Sequence, residues 1–201
     1  MAEVGTWPSI KKRGLLSTSA ALDKLGIQGK ERTALESDHR PEKVTIGSGA
    51  NAIVLRDQKP MPPDRIAKAL VDGSTPRQWY KFLNGKVFMW AEEARLLRLL
   101  GAQWYRDLEH DVLTIDTTSL VNAHGGSISL CRMNSGNTLP YWHARGIADF
   151  HAIHQYPVKK SGAPLKPVVE VVVHYAIPDI SKYVVDVRRM RGDKVLSTLS
   201  L

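Results

Sequence analysis

Pro167-Val168-Val169-Glu170-Val171-Val172-Val173-His174 sets one carboxylate among five valines. β-branched side chains crowd a helix and suit a pleated strand, so the stretch reads as a strand with both faces largely covered. Side chains alternate along a strand, so Val169, Val171 and Val173 point one way and Val168, Glu170, Val172 and His174 the other. Glu170 then sits mid-strand in apolar surroundings, where an isolated carboxylate is costly to keep charged and unpartnered. Two readings follow. One is an edge-strand glutamate or one paired with a nearby arginine; the other is a site carboxylate held by a rigid strand.

Working outward, Ile177-Pro178-Asp179-Ile180 reads as a turn and Tyr183 to Val187 as a last strand. Arg188, Arg189 and Arg191 end it with local positive charge, and the chain beyond Arg191 reads as frayed. Before the valine run, Ser127 to Leu130 and the alternating Asp111-Val112-Leu113-Thr114-Ile115-Asp116 are strands, with Asp116 placed to cap the turn that follows. Between them and Glu170 lies Arg132-Met133-Asn134-Ser135-Gly136-Asn137-Thr138-Leu139-Pro140-Tyr141-Trp142-His143, a loop dense in side-chain hydrogen-bonding groups. His143, His151 and His154 are close in sequence, but their spacing matches no zinc motif, and no metal is expected.

Lys86-Val87-Phe88-Met89-Trp90 is a further strand, followed by a leucine-faced helix from Ala91 to Leu100. Before it, Thr75 caps a helix with Pro76 at its first position and Gly85 at its end. Trp79, Phe82 and Leu83 at i, i+3 and i+4 form its core face. Asp64 to Val71 and Lys30 to Glu36 are helical, as are a short segment entered through Thr6 and Pro8 and stopped at Gly14, and another from Ala20 to Leu25 capped from Ser17, Thr18 or Ser19. Gly47 and Gly49 fit neither a P-loop nor a dinucleotide fingerprint. Ala52 to Leu55 reads as a short strand delivering Arg56 to a proline-stiffened loop, where its planar fork suits a phosphate or a carboxylate. Strands interleaved with short helices predict an α+β domain with a mixed or antiparallel sheet over residues 1–195, and a tail at 196–201.

The 201 residues suffice for one domain with a full core, and 43% hydrophobic with 24% charged residues excludes a disordered chain. No apolar run approaches the roughly 20 residues of a membrane span, and no signal-peptide pattern opens the chain. A single cysteine, Cys131, rules out an internal disulfide and suits a reducing compartment, so a cytoplasmic location is expected. The net charge of +8 favours a polyanionic partner without choosing one.

Several segments together resemble DarT-type DNA ADP-ribosyltransferases. Met1 to Ile10, with Thr6-Trp7-Pro8-Ser9-Ile10, and then Arg13-Gly14-Leu15-Leu16-Ser17 are similar to that family's opening strand, Leu-Pro-Ser-Ile helix and Gly-Leu-Leu-Ser step. Lys86 to Trp90 looks like its aromatic strand, and Val169 to Val173 with Ile177 to Ile180 like the strand that carries its catalytic glutamate and the turn after it. Arg56-Asp57-Gln58-Lys59-Pro60-Met61 and Met133-Asn134-Ser135-Gly136-Asn137-Thr138 look closer still to one bacterial branch. The order and approximate spacing of these parts match over most of residues 1–190. Two positions depart from the pattern. The family's NAD-binding histidine would fall just before Met1, and Ala2 stands where the family has threonine; either the nicotinamide-side contacts are remade or, as is expected here, the natural start lies a few residues upstream and carries that histidine.

The resemblance implies an ADP-ribosyltransferase-like core, NAD as ADP-ribose donor, and no metal. It implies Glu170 as the catalytic carboxylate, with Arg56 as the second charged residue holding the NAD phosphates or the acceptor. Ala2, Ser9, Gly14, Leu16, Ser17, Phe88 and Trp90 would lie on the NAD side, with Phe88 or Trp90 stacking on the nicotinamide ring. Asn134, Ser135 and Thr138 would lie on the acceptor side. The acceptor implied is a base in single-stranded DNA or RNA, in a toxin or phage-defence protein whose partners would include an antitoxin or an ADP-ribose hydrolase. Two other outcomes stay open: a catalytically inactive nucleic-acid- or partner-binding module on the same fold, and a transferase directed at protein or an NAD glycohydrolase.

Overall fold

In the computed structural model, which describes residues 1–201, the chain runs β1 (Ala2–Glu3), α1 (Trp7–Arg13), β2 (Leu15–Leu16), α2 (Thr18–Lys24) and α3 (Gly29–Ser37). It continues through β3 (Val44–Ile46), β4 (Ile53–Leu55), α4 (Pro63–Ala69), α5 (Pro76–Asn84), β5 (Lys86–Trp90) and α6 (Glu93–Leu100). The second half holds β6 (Glu109–Ile115), α7 (Thr117–His124), β7 (Ile128–Cys131), β8 (Phe150–Ala152), β9 (Glu170–His174), β10 (Ala176–Ile177), β11 (Val184–Arg191) and β12 (Lys194–Thr198). This is an α+β fold. No helix is long and apolar enough to cross a membrane.

Two four-stranded sheets, ordered β5-β9-β7-β8 and β1-β6-β11-β12, carry the architecture, with the two-stranded ribbons β2-β10 and β3-β4 beside them. Every strand ladder is antiparallel. β9 is an inner strand, bonded on one side to β5 and on the other to β7. Val173 and Val171 face the main core with Trp7, Leu120, Ile128 and Ile177, while Val172 and Glu170 are buried on the opposite face. Covering of both faces is what a run of valines requires. An edge position for Glu170 is thereby excluded.

Glu170 opens β9 and does not stand in its middle. Trp90 and Cys131, level with it on either side, are the last residues of β5 and β7, so the three-stranded ladder ends at this point. Pro167, which lacks an N–H, precedes it by three residues and cannot extend the ladder.

Local signals place most helices. Ser17 caps α2 by accepting from the Ala20 amide at 3.1 Å, and Asp116 caps α7 by accepting from Ser119 at 2.7 Å. Thr75 and Gln78 form a reciprocal capping box on α5, which buries Trp79, Tyr80 and Leu83 beside Met61 and Ile66. Thr6 does not cap α1. Its backbone is already helical, and its hydroxyl donates back to the Glu3 carbonyl at 2.6 Å.

Gly14 ends α1 with φ +87°, and a Cβ there would stand 2.7 Å from the Pro178 Cα. Only glycine allows that approach, which seats β2 against β10.

The chain beyond Arg191 is ordered into the fold. It turns at Gly192, at φ +56°, and returns as β12 on β11. Leu199 N–H donates to the Val187 carbonyl and Trp7 Nε1 to the Ser200 carbonyl, both at 2.8 Å. A boundary after residue 195 would cut through this strand.

Candidate active site

A cleft of about 1710 Å³ opens against both sheets. The α1–β2–α2 segment contributes Ser9, Gly14, Leu16 and Ser17, the end of β4 gives Arg56, and β5 gives Phe88 and Trp90. Ala2, the loop residues Asn134 and Ser135, and Glu170 complete the group. The fold thus gathers onto one cavity side chains from positions 2 to 170. Thr138 is the exception among the residues singled out from the sequence. It is fully buried, and both its amide and its hydroxyl donate to the Pro60 carbonyl, at 2.9 and 2.8 Å, so it ties the loop after β7 to the loop after β4.

Glu170 is 5% exposed. The Ser135 amide donates to its Oε1 at 3.2 Å, and its Oε2 has no hydrogen-bond partner. Burial pushes its pKa up to about 7, with Ser135 and the positive charge of Arg145 pulling the other way. Near neutral pH this carboxyl is therefore poised between its two protonation states. Cys131, level with it on β7, is held as a neutral thiol, since burial pushes it up to about 12.

Arg145 is the nearest counter-charge, and nothing in the sequence pattern marked it. It is 1% exposed and makes no ion pair; its guanidinium donates to the carbonyls of Ser135 and Asn137, each at 2.8 Å, and of His143 at 3.1 Å.

Arg56 lies across a second polar cluster. Its Nη2 donates to His110 Nε2 at 3.3 Å, and the guanidinium carbon sits 5.8 Å from the centre of the Tyr105 ring. Nη1 has no hydrogen-bond partner, because the nearest carboxylate oxygen, Glu3 Oε2, is 3.8 Å away. His110 is 1% exposed and its pKa falls to about 4, through burial first and the Arg56 charge second. It is neutral at physiological pH, which suits an acceptor facing a guanidinium. Tyr105 donates to Asp57 at 2.8 Å, next along the chain from Arg56. Arg40 fixes the backbone here by donating from Nε to the Arg56 carbonyl at 2.8 Å; it also reaches Asn84 Oδ1 at 3.3 Å.

Ser17 reaches the cleft, but its hydroxyl oxygen serves the α2 cap, so its further capacity is as a donor. Asn134 Oδ1 accepts from the Gly136 amide at 3.1 Å and shapes the turn that aims Ser135. No group of three or more His, Cys, Asp or Glu side chains is arranged to hold a metal ion. Gly47 is used by the β3–β4 connection, where its positive φ and the nearby Asn51 carbonyl require it, and it does not line the cleft.

An α+β fold that carries a buried, half-partnered glutamate on an inner strand at a large cleft is thus the class of protein in hand. Residues 1–184 match the model of a family of unknown function, DUF7002, and the chain belongs to that family. The match spans every residue of the site just described. No curated protein and no solved structure matches the chain.

Proposed function

We propose that the protein is an NAD-dependent ADP-ribosyltransferase, with a DarT-like arrangement of its sheets, that modifies a base in single-stranded DNA or RNA. The observation that carries this reading is the Glu170 carboxylate: buried at the cleft, fixed on an inner strand, titrating near neutrality and with Oε2 buried and unpartnered. A buried acceptor without a partner is costly unless a ligand or proton supplies one.

The residues present support a dinucleotide as ligand. Arg56 Nη1 forms no hydrogen bond and keeps only a 3.8 Å ion contact with Glu3 Oε2, which leaves it donor capacity for a pyrophosphate, and the Phe88 and Trp90 rings line the same cleft as Ser17 and the backbone at Gly14 and Leu16. A typical small-molecule pocket occupies about 300–1,000 Å³. At about 1710 Å³ the cleft has room for a donor and part of an acceptor together. Eight Arg or Lys and five Asp or Glu residues line it, a balance that favours anionic ligands.

NAD supplies the ADP-ribosyl group, and nicotinamide leaves. In its charged form Glu170 accepts a hydrogen bond at Oε2 and takes the proton of the attacking acceptor group, while the Ser135 amide holds Oε1 in place. Arg56 offers fixed positive charge to phosphate, and its neighbour His110, held neutral, does not compete for it. An unstacked base reaches such a cleft more readily than a paired one, which favours single strands. By the same resemblance we assign the protein to a cytoplasmic toxin or phage-defence role, with an antitoxin or an ADP-ribose hydrolase as its control.

The test is intact mass spectrometry of short single-stranded DNA and RNA oligonucleotides incubated with the protein and NAD. An ADP-ribose increment on an oligonucleotide, absent with Glu170→Gln, is expected. No increment on either oligonucleotide, with NAD left intact, would overturn the reading.

A further inference from the structure

Arg145 presents an energetic problem that its surroundings only partly answer. A buried guanidinium without a carboxylate partner is expensive, and apolar side chains of similar volume would be cheaper to bury. Here all its bonds go to backbone carbonyls, and all three of those carbonyls belong to one loop, at Ser135, Asn137 and His143. Its own backbone is pinned to the end of α4: its N–H donates to the Ala69 carbonyl at 2.9 Å, and its carbonyl accepts from Val71 at 3.1 Å. The loop is therefore clamped to a helix.

The gripped residue Ser135 is the one whose amide reaches Glu170. Carbonyl and amide of one residue are separated by only its two soft dihedrals, so anchoring the first narrows the placement of the second. We propose that Arg145 is the positioning residue of this site: by holding the Ser135 and Asn137 carbonyls it keeps the Ser135 N–H on Oε1 of Glu170 and leaves the buried Oε2 without a protein partner. Arg145 also contributes its charge. The other titratable groups near Glu170 are the Cys131 thiol, held neutral, and Asp149, which is paired with Arg132 at 3.1 Å. Arg145 is thus the one cation acting directly on Glu170. The inference rests on Glu170 being the site carboxylate.

The experiment follows Glu170 itself, with no NAD or acceptor present. In protein carrying ¹³C-labelled glutamate, the resonance lost in Glu170→Gln identifies the side chain, and its titration is read together with the ¹⁵N–¹H signal of Ser135. In the wild-type protein the Ser135 amide titrates with the same midpoint as the Glu170 carboxyl, and in Glu170→Gln it does not titrate. In Arg145→Gln the Glu170 midpoint rises by about one unit or more, since an opposite charge and an amide donor are withdrawn together. Arg145→Lys, which keeps the charge and loses the fork, gives a smaller rise and a weaker response at Ser135. An unchanged midpoint in Arg145→Gln overturns the proposal. If neither variant folds, a wild-type Ser135 amide that is insensitive to Glu170 overturns it equally. Absence of transfer activity alongside these titrations would overturn the enzymatic reading and leave the clamp standing.

Discussion

The Ser135 amide lies 3.2 Å from Oε1 of Glu170, 35 residues further along the chain, while the second carboxylate oxygen is buried with no hydrogen-bond partner. One donor does not replace the hydration a carboxylate loses on burial. The site therefore holds Glu170 at a cost to the fold, a trade common where stability and activity compete for the same group.

That cost has a pH signature. The folded-state pKa of Glu170 is raised from 4.5 to about 7. Below about 4.5 the side chain is neutral in both folded and unfolded chains, and no penalty applies. Between about 4.5 and 7 the unfolded chain releases the proton that the folded one retains, so stability falls as pH rises, by about 3 kcal/mol in total. Glu170→Gln removes the titration. Its melting temperature should rise relative to the wild type from pH 5 to pH 7 and hold that lead up to pH 8. Differential scanning fluorimetry across that range checks this; a constant gap would show that Glu170 is not the group responsible.

If Glu170 is the base of the proposed transfer, that activity should depend on pH in the opposite sense. A general base acts only when deprotonated, so the single-turnover rate should climb through a midpoint near 7 and then level off. His110, with a pKa of about 4, contributes no second step within that window. A rate that falls between pH 6 and pH 8 would assign Glu170 to general acid work instead.

Gly14 tests whether the cleft floor must be built as it is. A Cβ at this residue meets the Pro178 Cα at 2.7 Å and the Ile177 carbonyl at 2.8 Å, both backbone atoms that cannot swing aside. Positive φ adds about 1–2 kcal/mol of strain for any other residue. Gly14→Ala should lower stability by at least that amount, and it should displace Leu16 and Ser17; under the proposed function, affinity for NAD measured by calorimetry should fall with it. A variant as stable as the wild type would mean that β2 and β10 separate freely.

Much of this arrangement is legible in the chain. The valine run around Glu170, the aromatic strand Lys86–Trp90 and the Thr75-Pro76 helix start each carry a local physical signature, and each forms the element its signature predicts. Arg56 and Glu170 are 114 positions apart yet line one cleft, a convergence that no local signature in the chain announces. Arg145 was not legible. Its partners are backbone carbonyls, which every residue has, so no residue type in the loop marks the clamp. Thr138 misleads for the reverse reason: a threonine in a polar loop looks available, yet its hydroxyl is committed to Pro60. Nor did the charged residues about Arg191 suggest a hairpin, although Gly192-Asp193 between two runs is itself a turn signal.

The C-terminal hairpin gives the last prediction. Trp7 is 3% exposed, and its indole N–H donates to the Ser200 carbonyl. Truncation after Thr198 removes that acceptor and the Leu199 bond to Val187, leaving a buried donor unpaired at a cost of about 1–3 kcal/mol. Truncation after Arg191 removes β12 as well and bares one edge of β11, so the loss should be larger and the protein more prone to associate through that edge. Chemical denaturation of the two truncated chains, with light scattering for association, checks both steps. Equal stability of all three chains would mean that α1 and β11 hold without the hairpin, and that Trp7 satisfies its indole elsewhere.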